Sequence, residues 1–348
     1  MERMGRLVLL VGLALVVLVG ACAKQEKVLR LYIWSDYISP ELVQRFEREF
    51  HCKVVQDHFE SNEAMLARLK AKPKVDYDLL FPSSYMAGVM WKERLLLRLD
   101  HDKLPNLGLL DHKYLGKLED ATQVYSVPYA VGFTGIGYNR SLVKDFKPSW
   151  DVFGRKDLAG RMTMLNDMRE ALGAALKRLG YSLNSTDDIE LREAKRQLLQ
   201  WKKNLAAFQV DEANSQLSSE KLLVIQAYNG DILQLAGEGR GDFAFAIPVE
   251  GTSLWCDNMV VPKDAVNPDL ALAFINFAQE PGNCALNMKY TNYLCPNAAA
   301  VKLLDPKLRG NPGFDMSDAT MNKCEMIRDL GQANAKYVKI WAEVNAGE

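Results

Sequence analysis

Short apolar segments alternate with amphipathic stretches along most of the chain. Residues 29–33 place leucine and isoleucine at every second position, which predicts a strand, and Ser39 with Pro40 predicts the start of a helix. The continued alternation of strands and helices predicts α/β layers with largely parallel sheets. Further strands are predicted at residues 53–59, 77–81, 161–165, 206–210, 222–228, 242–247 and 259–261, and further helices at 62–69, 166–179, 187–203 and 267–277.

Two segments are predicted to run between two groups of strands. Residues 127–139 alternate small and large side chains, and residues 255–261 run back in the opposite direction. Two crossings indicate interleaved lobes, with residues 29–133 and 259–303 in lobe one and residues 138–254 and 304–348 in lobe two. The glycines of the first crossing do not form a phosphate loop, because no Gly-Lys-Ser/Thr follows and their spacing differs from the dinucleotide-binding motif.

The first 28 residues have the pattern of an export signal followed by a tether. Arg3 and Arg6 precede an apolar run at residues 7–21, which is shorter than the roughly 20 residues that span a bilayer. Residues 19–22, Val-Gly-Ala-Cys, resemble the lipobox of bacterial lipoproteins, although leucine is commoner at the position of Val19. The resemblance implies a signal peptide at residues 1–21, lipidation of Cys22 and a tether at 22–28. An ordinary signal that ends at Cys22 is the alternative.

Composition narrows the classes of function. The chain has a net charge of −1 and 48% hydrophobic residues, which predicts a globular protein that does not bind nucleic acid. The cysteines after Cys22 form no Cys-x-x-Cys pair, and the histidines have no zinc-like spacing. We therefore predict no metal site, no cofactor, and cysteines that are mostly small buried residues.

The first predicted strand ends in a cluster suited to a cation. Trp34, Ser35, Asp36 and Tyr37 follow it directly, and ligands bind at the carboxyl ends of strands in open α/β sheets. An aromatic face attracts an ammonium group, and a carboxylate neutralises it. The alternative is that these aromatic side chains only pack on a helix.

Carboxylates with a possible binding role occur at two other places. Trp255 and Asp257 share one face of an extended segment, where an acid beside an indole favours a binding role over a core position. Asp167 and Glu170 begin a predicted helix, and the alternative there is an N-cap with its capping-box partner. Tyr293 fits either a site or a core position.

An ordered series of motifs carries a family resemblance. The motifs are Tyr-x-Trp-Ser-Asp-Tyr from Tyr32, Pro-Ser-Ser-Tyr from Pro82, Thr-Gly-Ile-Gly-Tyr-Asn from Thr134, Asp-Met-Arg-Glu from Asp167, Tyr-Asn-Gly-Asp from Tyr228, Pro-x-Glu-Gly from Pro248 and Trp-x-Asp from Trp255. Over residues 29–339 the chain resembles the bacterial polyamine-binding proteins of ABC importers for spermidine and putrescine. This resemblance implies a two-lobed periplasmic-binding-protein fold that closes on a polyamine and delivers it to a permease, without enzymatic chemistry.

The resemblance also implies which residues touch the ligand. Aromatic walls are implied for Trp34, Tyr37, Tyr85, Tyr228, Trp255 and Tyr293, ammonium pairing for Asp167, Glu170 and Asp257 with Asp36 as a fourth candidate, and hydrogen bonds for Ser35 and Ser83. The signals for ligand length conflict, because residues 34–37 resemble putrescine-preferring relatives and residues 167–170 resemble spermidine-preferring ones. Tyr228 stands where spermidine-type relatives have tryptophan, and Met326 where they have glutamine.

Two other functions stay open from the sequence. A polyamine sensor that signals to a membrane protein has the same site, and a secreted hydrolase could use a pair of carboxylates such as Asp167 and Glu170, or Asp36 and Asp257. The hydrolase is the poorer account, because the chain has no Gly-x-Ser-x-Gly motif. We expect a monomer on the periplasmic side of a bacterial membrane, anchored through Cys22 and partnered with a permease.

Overall fold

The computed structural model describes residues 27–71, 76–116, 118–209, 212–239, 241–311, 313–314 and 316–347. The predicted signal peptide, Cys22 and the tether up to residue 26 lie outside these ranges. Within the described ranges, no helix is both long enough and apolar enough to cross a membrane.

The described ranges contain the alternation of strands and helices that the sequence predicts. The strands are β1 (Lys27–Ile33), β2 (Cys52–His58), β3 (Leu79–Leu80), β4 (Val127–Asn139), β5 (Met162–Met164), β6 (Leu205–Phe208), β7 (Val224–Tyr228), β8 (Phe243–Ala246), β9 (Ser253–Met259) and β10 (Glu325–Met326). The helices are α1 (Pro40–Phe50), α2 (Asn62–Lys70), α3 (Ser84–Lys92), α4 (His112–Leu115), α5 (Met168–Arg178), α6 (Asp188–Lys202), α7 (Ala213–Ser218), α8 (Asn229–Gly237), α9 (Pro268–Ala278), α10 (Pro281–Thr291), α11 (Ala298–Val301), α12 (Pro306–Arg309), α13 (Asp318–Met321) and α14 (Asn334–Ala346).

The strands form two sheets of different character. The first sheet is parallel throughout, in the order β2-β1-β3. The second has the order β10-β9-β4-β7-β5-β6, with β8 also paired to β4, and β4 runs antiparallel to β7, β8 and β9. The prediction of largely parallel sheets is therefore right for the first sheet and wrong for the centre of the second, where the crossing strands run in opposite directions.

The long strand β4 is the crossing strand predicted at residues 127–139. Residues 127–133 pair with β9, and residues 134–138 pair with β7. The strand β9 returns antiparallel to it, and just beyond its end Val260 bridges to Leu80 of the first sheet. These two strands therefore connect the lobes and carry residues of both to one place.

Each of the two lobes has its own apolar core. In lobe one, α1 and α9 pack beside the first sheet, with Leu31, Phe46 and Phe274 fully buried. In lobe two, α5 and α6 pack with α14, with Leu198 and Tyr337 fully buried. The lobe boundaries given above stay a prediction.

The sequence-based prediction omits several helices, among them α3, α8, α10 and α14. In α10 the buried positions include Asn283, Asn287 and Thr291, so the apolar periodicity is broken by polar residues. The polar side chains of α10 are buried by other parts of the chain, which a local pattern does not record. In α14 the apolar residues Tyr337, Ile340, Trp341 and Val344 recur at helical spacing and pack in the core of lobe two, so its pattern was present and was overlooked.

Candidate functional site

The crossing strands and the ends of nearby elements bring most of the predicted residues together. Trp255 and Asp257 lie on β9, Tyr37 follows β1, and Ser83 immediately precedes α3. Asp167 lies at the start of α5 in lobe two. The group therefore draws on both lobes.

Asp257 lies at one end of this group of residues, here called the lobe-one end because its side-chain contacts come from lobe one. Its Oδ2 accepts a hydrogen bond from the Tyr37 hydroxyl at 2.8 Å, and its Oδ1 accepts one from the Ser83 hydroxyl at 2.7 Å. A β-bridge also joins Ser83 to Asp257, so the carboxylate is fixed from two directions. Burial raises the pKa of Asp257 to about 6, and the two hydroxyl donors oppose this rise.

Asp167 and Glu170 form the end that belongs to lobe two. The Oδ1 of Asp167 accepts hydrogen bonds from the backbone N–H groups of Arg169 at 2.8 Å and Glu170 at 3.1 Å, so Asp167 is an N-cap. Glu170 does not complete a capping box, because its Oε2 accepts a hydrogen bond from the Ser253 hydroxyl at 2.5 Å. The capping alternative is confirmed for Asp167 and wrong for Glu170.

The two carboxylates of the lobe-two end influence each other. Burial, and then the charge of Asp167, raise the pKa of Glu170 to about 7. Burial also raises the pKa of Asp167. The neighbouring guanidinium of Arg169 attracts both acids, but its own hydrogen bonds go to the carbonyl of Arg328 at 2.9 Å and to Oδ1 of Asn184 at 2.8 Å.

Four aromatic rings in edge contact line the space between the two ends. The ring centroids of Tyr37 and Tyr293 are 5.7 Å apart, those of Tyr293 and Trp255 5.1 Å, and those of Trp255 and Tyr228 5.8 Å. Tyr228 lies within electrostatic range of both ends, because burial and then the acids of both ends raise the pKa of its hydroxyl. The rings therefore form a continuous apolar wall with an acid at either side.

Two glycines make room for this wall. A Cβ at Gly132 on β4 would lie 2.2 Å from the ring of Trp255, and a Cβ at Gly230 on α8 would lie 2.5 Å from the ring of Tyr293. Any side chain at these positions would displace a ring. The Trp255 ring lies so close to the backbone of β4 that position 132, one of three glycines in this crossing strand, has no room for a side chain.

Asp231 is a further acid of the group that sequence reasoning missed. Its Oδ1 accepts a hydrogen bond from the Tyr293 hydroxyl at 2.7 Å, and burial raises its pKa. Asp231 is the third residue of α8 and belongs to the Tyr-Asn-Gly-Asp motif, which was the available signal. The motif does not show that this side chain meets a tyrosine 62 positions further along the chain.

Trp34 and Tyr85 lie at the edge of the group and are half-buried. The Trp34 indole N–H donates to the carbonyl of Phe81 at 3.0 Å, and its ring lies 4.3 Å from that of Phe59. The Tyr85 hydroxyl donates to Oε1 of Glu63 at 3.1 Å. Packing of Trp34 on lobe one therefore accounts for part of its environment.

Ser35 and Asp36 are the least enclosed of the predicted residues. Both are exposed in the turn that follows β1, and Asp36 has a φ of +54°. Solvent screens an exposed carboxylate, so Asp36 attracts a cation less strongly than the buried acids do. The structure thus separates Asp36 from the other three predicted acids by its exposure.

The described part of the chain offers little other site chemistry. Within it, no group of three or more His, Cys, Asp or Glu residues is placed to hold a metal ion. The described cysteines are all buried, as predicted, at Cys52, Cys256, Cys284, Cys295 and Cys324. The arrangement of two acidic ends and an aromatic wall is instead suited to an elongated cation.

Comparison with known proteins places these observations in a family. The sequence model described as bacterial extracellular solute-binding protein matches residues 41–314. The chain is 32% identical to the spermidine/putrescine-binding periplasmic protein of Salmonella typhimurium, over 100% of both chains.

Two solved structures have a similar fold. One is the spermidine/putrescine ABC transporter substrate-binding protein of Streptococcus pneumoniae, with a TM-score of 0.82, 31% identity, and coverage of 92% of this chain and 99% of that one. The other is a lipoprotein of Treponema pallidum, with a TM-score of 0.83, 32% identity, and coverage of 91% and 99%. Both are similar over nearly their whole length, which confirms the two-lobed fold.

Proposed function

The chain belongs to the bacterial extracellular solute-binding proteins, and from this we propose that it binds a polyamine between its lobes and delivers it to an ABC-type membrane permease. The names of two relatives specify spermidine and putrescine. A polyamine is a flexible apolar rod that carries ammonium groups. Its site therefore needs separated carboxylates with flat apolar walls between them.

The observation that carries the proposal is the pair of buried acidic ends joined by aromatic rings. The side-chain donors to Asp257 and Glu170 are neutral hydroxyls, and burial raises the pKa of both acids. An ammonium group beside each acid supplies the positive charge that hydroxyls cannot, and it favours the ionised form. This chemistry supports a cationic ligand over a neutral or anionic one.

The roles of individual residues follow from their positions. We propose that the ammonium groups pair with Asp257, Glu170, Asp167 and Asp231, and that the methylene groups lie on Tyr37, Tyr228, Trp255 and Tyr293. The outer contacts are Trp34, Ser35, Asp36, Ser83 and Tyr85, of which Asp36 contributes least because it is exposed.

Closure of the lobes is part of the proposal. The hinge lies in the crossing strands, near Gly135 of β4 and Trp255 of β9, where the pairing of β4 changes from one partner strand to the other. A ligand stabilises closure when some of its contacts are complete only in the closed state. The ligand proposed here meets that condition because one end pairs with Asp257, which Tyr37 and Ser83 fix to lobe one, and the other with the acids of α5 in lobe two.

The cellular setting is proposed on separate grounds. The lipobox-like residues 19–22 and the lipoprotein name of the Treponema pallidum structure support a chain anchored through Cys22 on the periplasmic side of the membrane. We propose that the chain is a monomer that returns its ligand unchanged. Mass spectrometry of ligand recovered after incubation checks the second point, because an enzyme alters the ligand.

Calorimetric titration of the chain without residues 1–22 tests the function. Putrescine, spermidine and spermine are titrated separately, and 1,4-butanediol serves as a neutral ligand of similar length to putrescine. We expect micromolar or tighter binding of at least one polyamine and no heat with the diol. The absence of heat and of thermal stabilisation with all three polyamines would contradict the proposal.

A further inference from the structure

A charged contact joins the two lobes away from the acidic ends. Lys92 is the last residue of α3, a helix of lobe one whose Met86 and Met90 are buried in the same cluster as Leu80. The Nζ of Lys92 lies 3.2 Å from Oδ2 of Asp329. Asp329 lies shortly before α14, which packs in the core of lobe two.

A second carboxylate, that of Glu119 in lobe one, lies near this ion pair. The charge of Lys92 attracts the Glu119 carboxylate, and the charge of Asp329 repels it. Glycine at position 88 of α3 makes room for this carboxylate, because a Cβ there would lie 2.0 Å from Oε2 of Glu119. Lys92 therefore lies between two carboxylates and offsets the repulsion between Glu119 and Asp329.

Residues 325–331, here called the strap, are attached to lobe two over most of their length. The strand β10 pairs with β9, and Glu325 forms an ion pair with Lys177 at 2.8 Å. The carbonyl of Arg328 accepts a hydrogen bond from Nη1 of Arg169 at 2.9 Å. Since Arg169 stands between Asp167 and Glu170 in the sequence, the strap is tied directly to the helix that carries the lobe-two acids.

We propose that Lys92 and Asp329, with Glu119, form an interlobe latch that stabilises the closed state and slows ligand release. The inference rests on the proposed function, because a latch matters for a protein that closes on its ligand. When the lobes separate, α3 moves away from the strap and the contact is lost. Lys92 and Asp329 therefore act on the ligand through closure and do not touch it.

A double-mutant cycle tests the latch. The variants are Lys92→Met, Asp329→Asn and the two combined, and Asn keeps the oxygen that accepts from the backbone N–H of Gly331. The control is Lys103→Met, because Lys103 forms an ion pair with Asp269 at 2.7 Å within lobe one. Polyamine affinity is measured by calorimetry, and association and release rates by stopped-flow tryptophan fluorescence.

We expect each single latch variant to raise Kd about twofold to fivefold through faster release, with the association rate unchanged. The combined variant should be no weaker than either single variant, and Lys103→Met should equal the unmodified chain. Unchanged release rates, or effects of the two substitutions that simply add, would overturn the latch.

Small-angle X-ray scattering separates failure of the latch from failure of the proposed function. The contact needs no ligand atom, so we expect a larger radius of gyration for Lys92→Met and Asp329→Asn than for Lys103→Met in the absence of polyamine. If no polyamine binds the unmodified chain, the proposed function is wrong, and the radius of gyration of the variants is then the only test of the latch. Identical scattering of all variants then overturns it.

Discussion

The two acidic ends of the candidate site are built differently. At the lobe-one end a single carboxylate, Asp257, is fixed by the hydroxyls of Tyr37 and Ser83, and its pKa is about 6. At the lobe-two end two carboxylates share the start of α5, and the charge of Asp167 adds to burial in raising the pKa of Glu170 to about 7. The first end is preorganised, whereas the second holds two acids that repel each other.

This difference assigns separate tasks to the two ends. An acid that is already oriented and hydrogen-bonded accepts an ammonium without rearrangement, so the lobe-one end should dominate affinity. A pair of repelling acids gains most from a cation, and the pKa of Glu170 is raised further than that of Asp257, so the lobe-two end should respond first as the pH falls. Each of the following predictions addresses one side of this contrast.

Replacement of Asp257 by asparagine should have the largest effect. Loss of one partner of a buried charge pair costs about 2–5 kcal/mol, which weakens polyamine binding by roughly 30-fold or more. The ligand-free variant should have an unchanged or higher Tm, because a neutral amide is easier to bury than a carboxylate. Calorimetry and thermal unfolding measure the two effects, and affinity within threefold of the unmodified chain would refute the assignment.

Lowering the pH should have the second-largest effect on polyamine affinity. In the empty site Glu170 is protonated below about pH 7 and Asp257 below about pH 6, and each must release its proton to pair with an ammonium. We expect Kd to rise by roughly tenfold or more between pH 7.5 and pH 5.5, as measured by calorimetry at several pH values. Titrations in buffers of different ionisation enthalpy should show proton release near pH 6.5. An affinity that does not change over this range would contradict the acid pair.

Replacement of Glu170 by glutamine should change the pH dependence of stability. The pKa of Glu170 is higher in the folded chain than its usual 4.5, so its contribution to stability is present below pH 4.5 and is lost as the pH rises through about 7. The ligand-free variant should therefore gain Tm relative to the unmodified chain by about 2 °C or more at pH 8. At pH 4 the gain should vanish, and an equal gain at both values would be inconsistent with the shifted pKa.

Alanine at Gly230 should weaken binding by about tenfold, because its Cβ would push the ring of Tyr293 out of the wall between the ends. Gly237 provides a matched control on the same helix, since a Cβ there meets nothing within 4 Å. Gly237→Ala should leave the affinity unchanged. Equal affinities for both variants would show that the position of Tyr293 is not needed.

Asparagine at Asp36 should have the smallest effect. Because the side chain is exposed, screening limits its attraction for an ammonium, and we expect less than about a twofold change in Kd. Competition between putrescine and spermidine in the same titration shows whether Asp36 affects the preference for the shorter or the longer ligand. A loss as large as that of Asp257→Asn would place Asp36 among the principal acids.

The fold could be predicted from sequence wherever the pattern was local. The alternation at residues 127–139 predicts β4, and the common face of Trp255 and Asp257 follows from the extended geometry of β9. The helix α10 could not be predicted from an apolar pattern, because its buried positions include Asn283, Asn287 and Thr291. The antiparallel centre of the second sheet depends on how distant strands meet, which no local pattern encodes.

The candidate site was predictable as a set of residues but not as a network. Motif order identifies Asp167, Glu170 and Asp257, whereas the hydrogen bond from Ser253 to Glu170 joins positions 83 apart. Asp231 was missed for the same reason, since its importance depends on Tyr293. Partners that are distant along the chain determine burial and pKa, so sequence order alone cannot rank the acids.

A crystal structure of the chain with bound spermidine would show whether a polyamine bridges the two acidic ends. We expect one ligand nitrogen within about 3 Å of the Asp257 carboxylate and another within about 3 Å of Glu170 or Asp167. The methylene chain between them should lie against the rings of Tyr228, Trp255 and Tyr293. Spermidine bound outside the space between the lobes, or paired with acids at one end only, would contradict this arrangement.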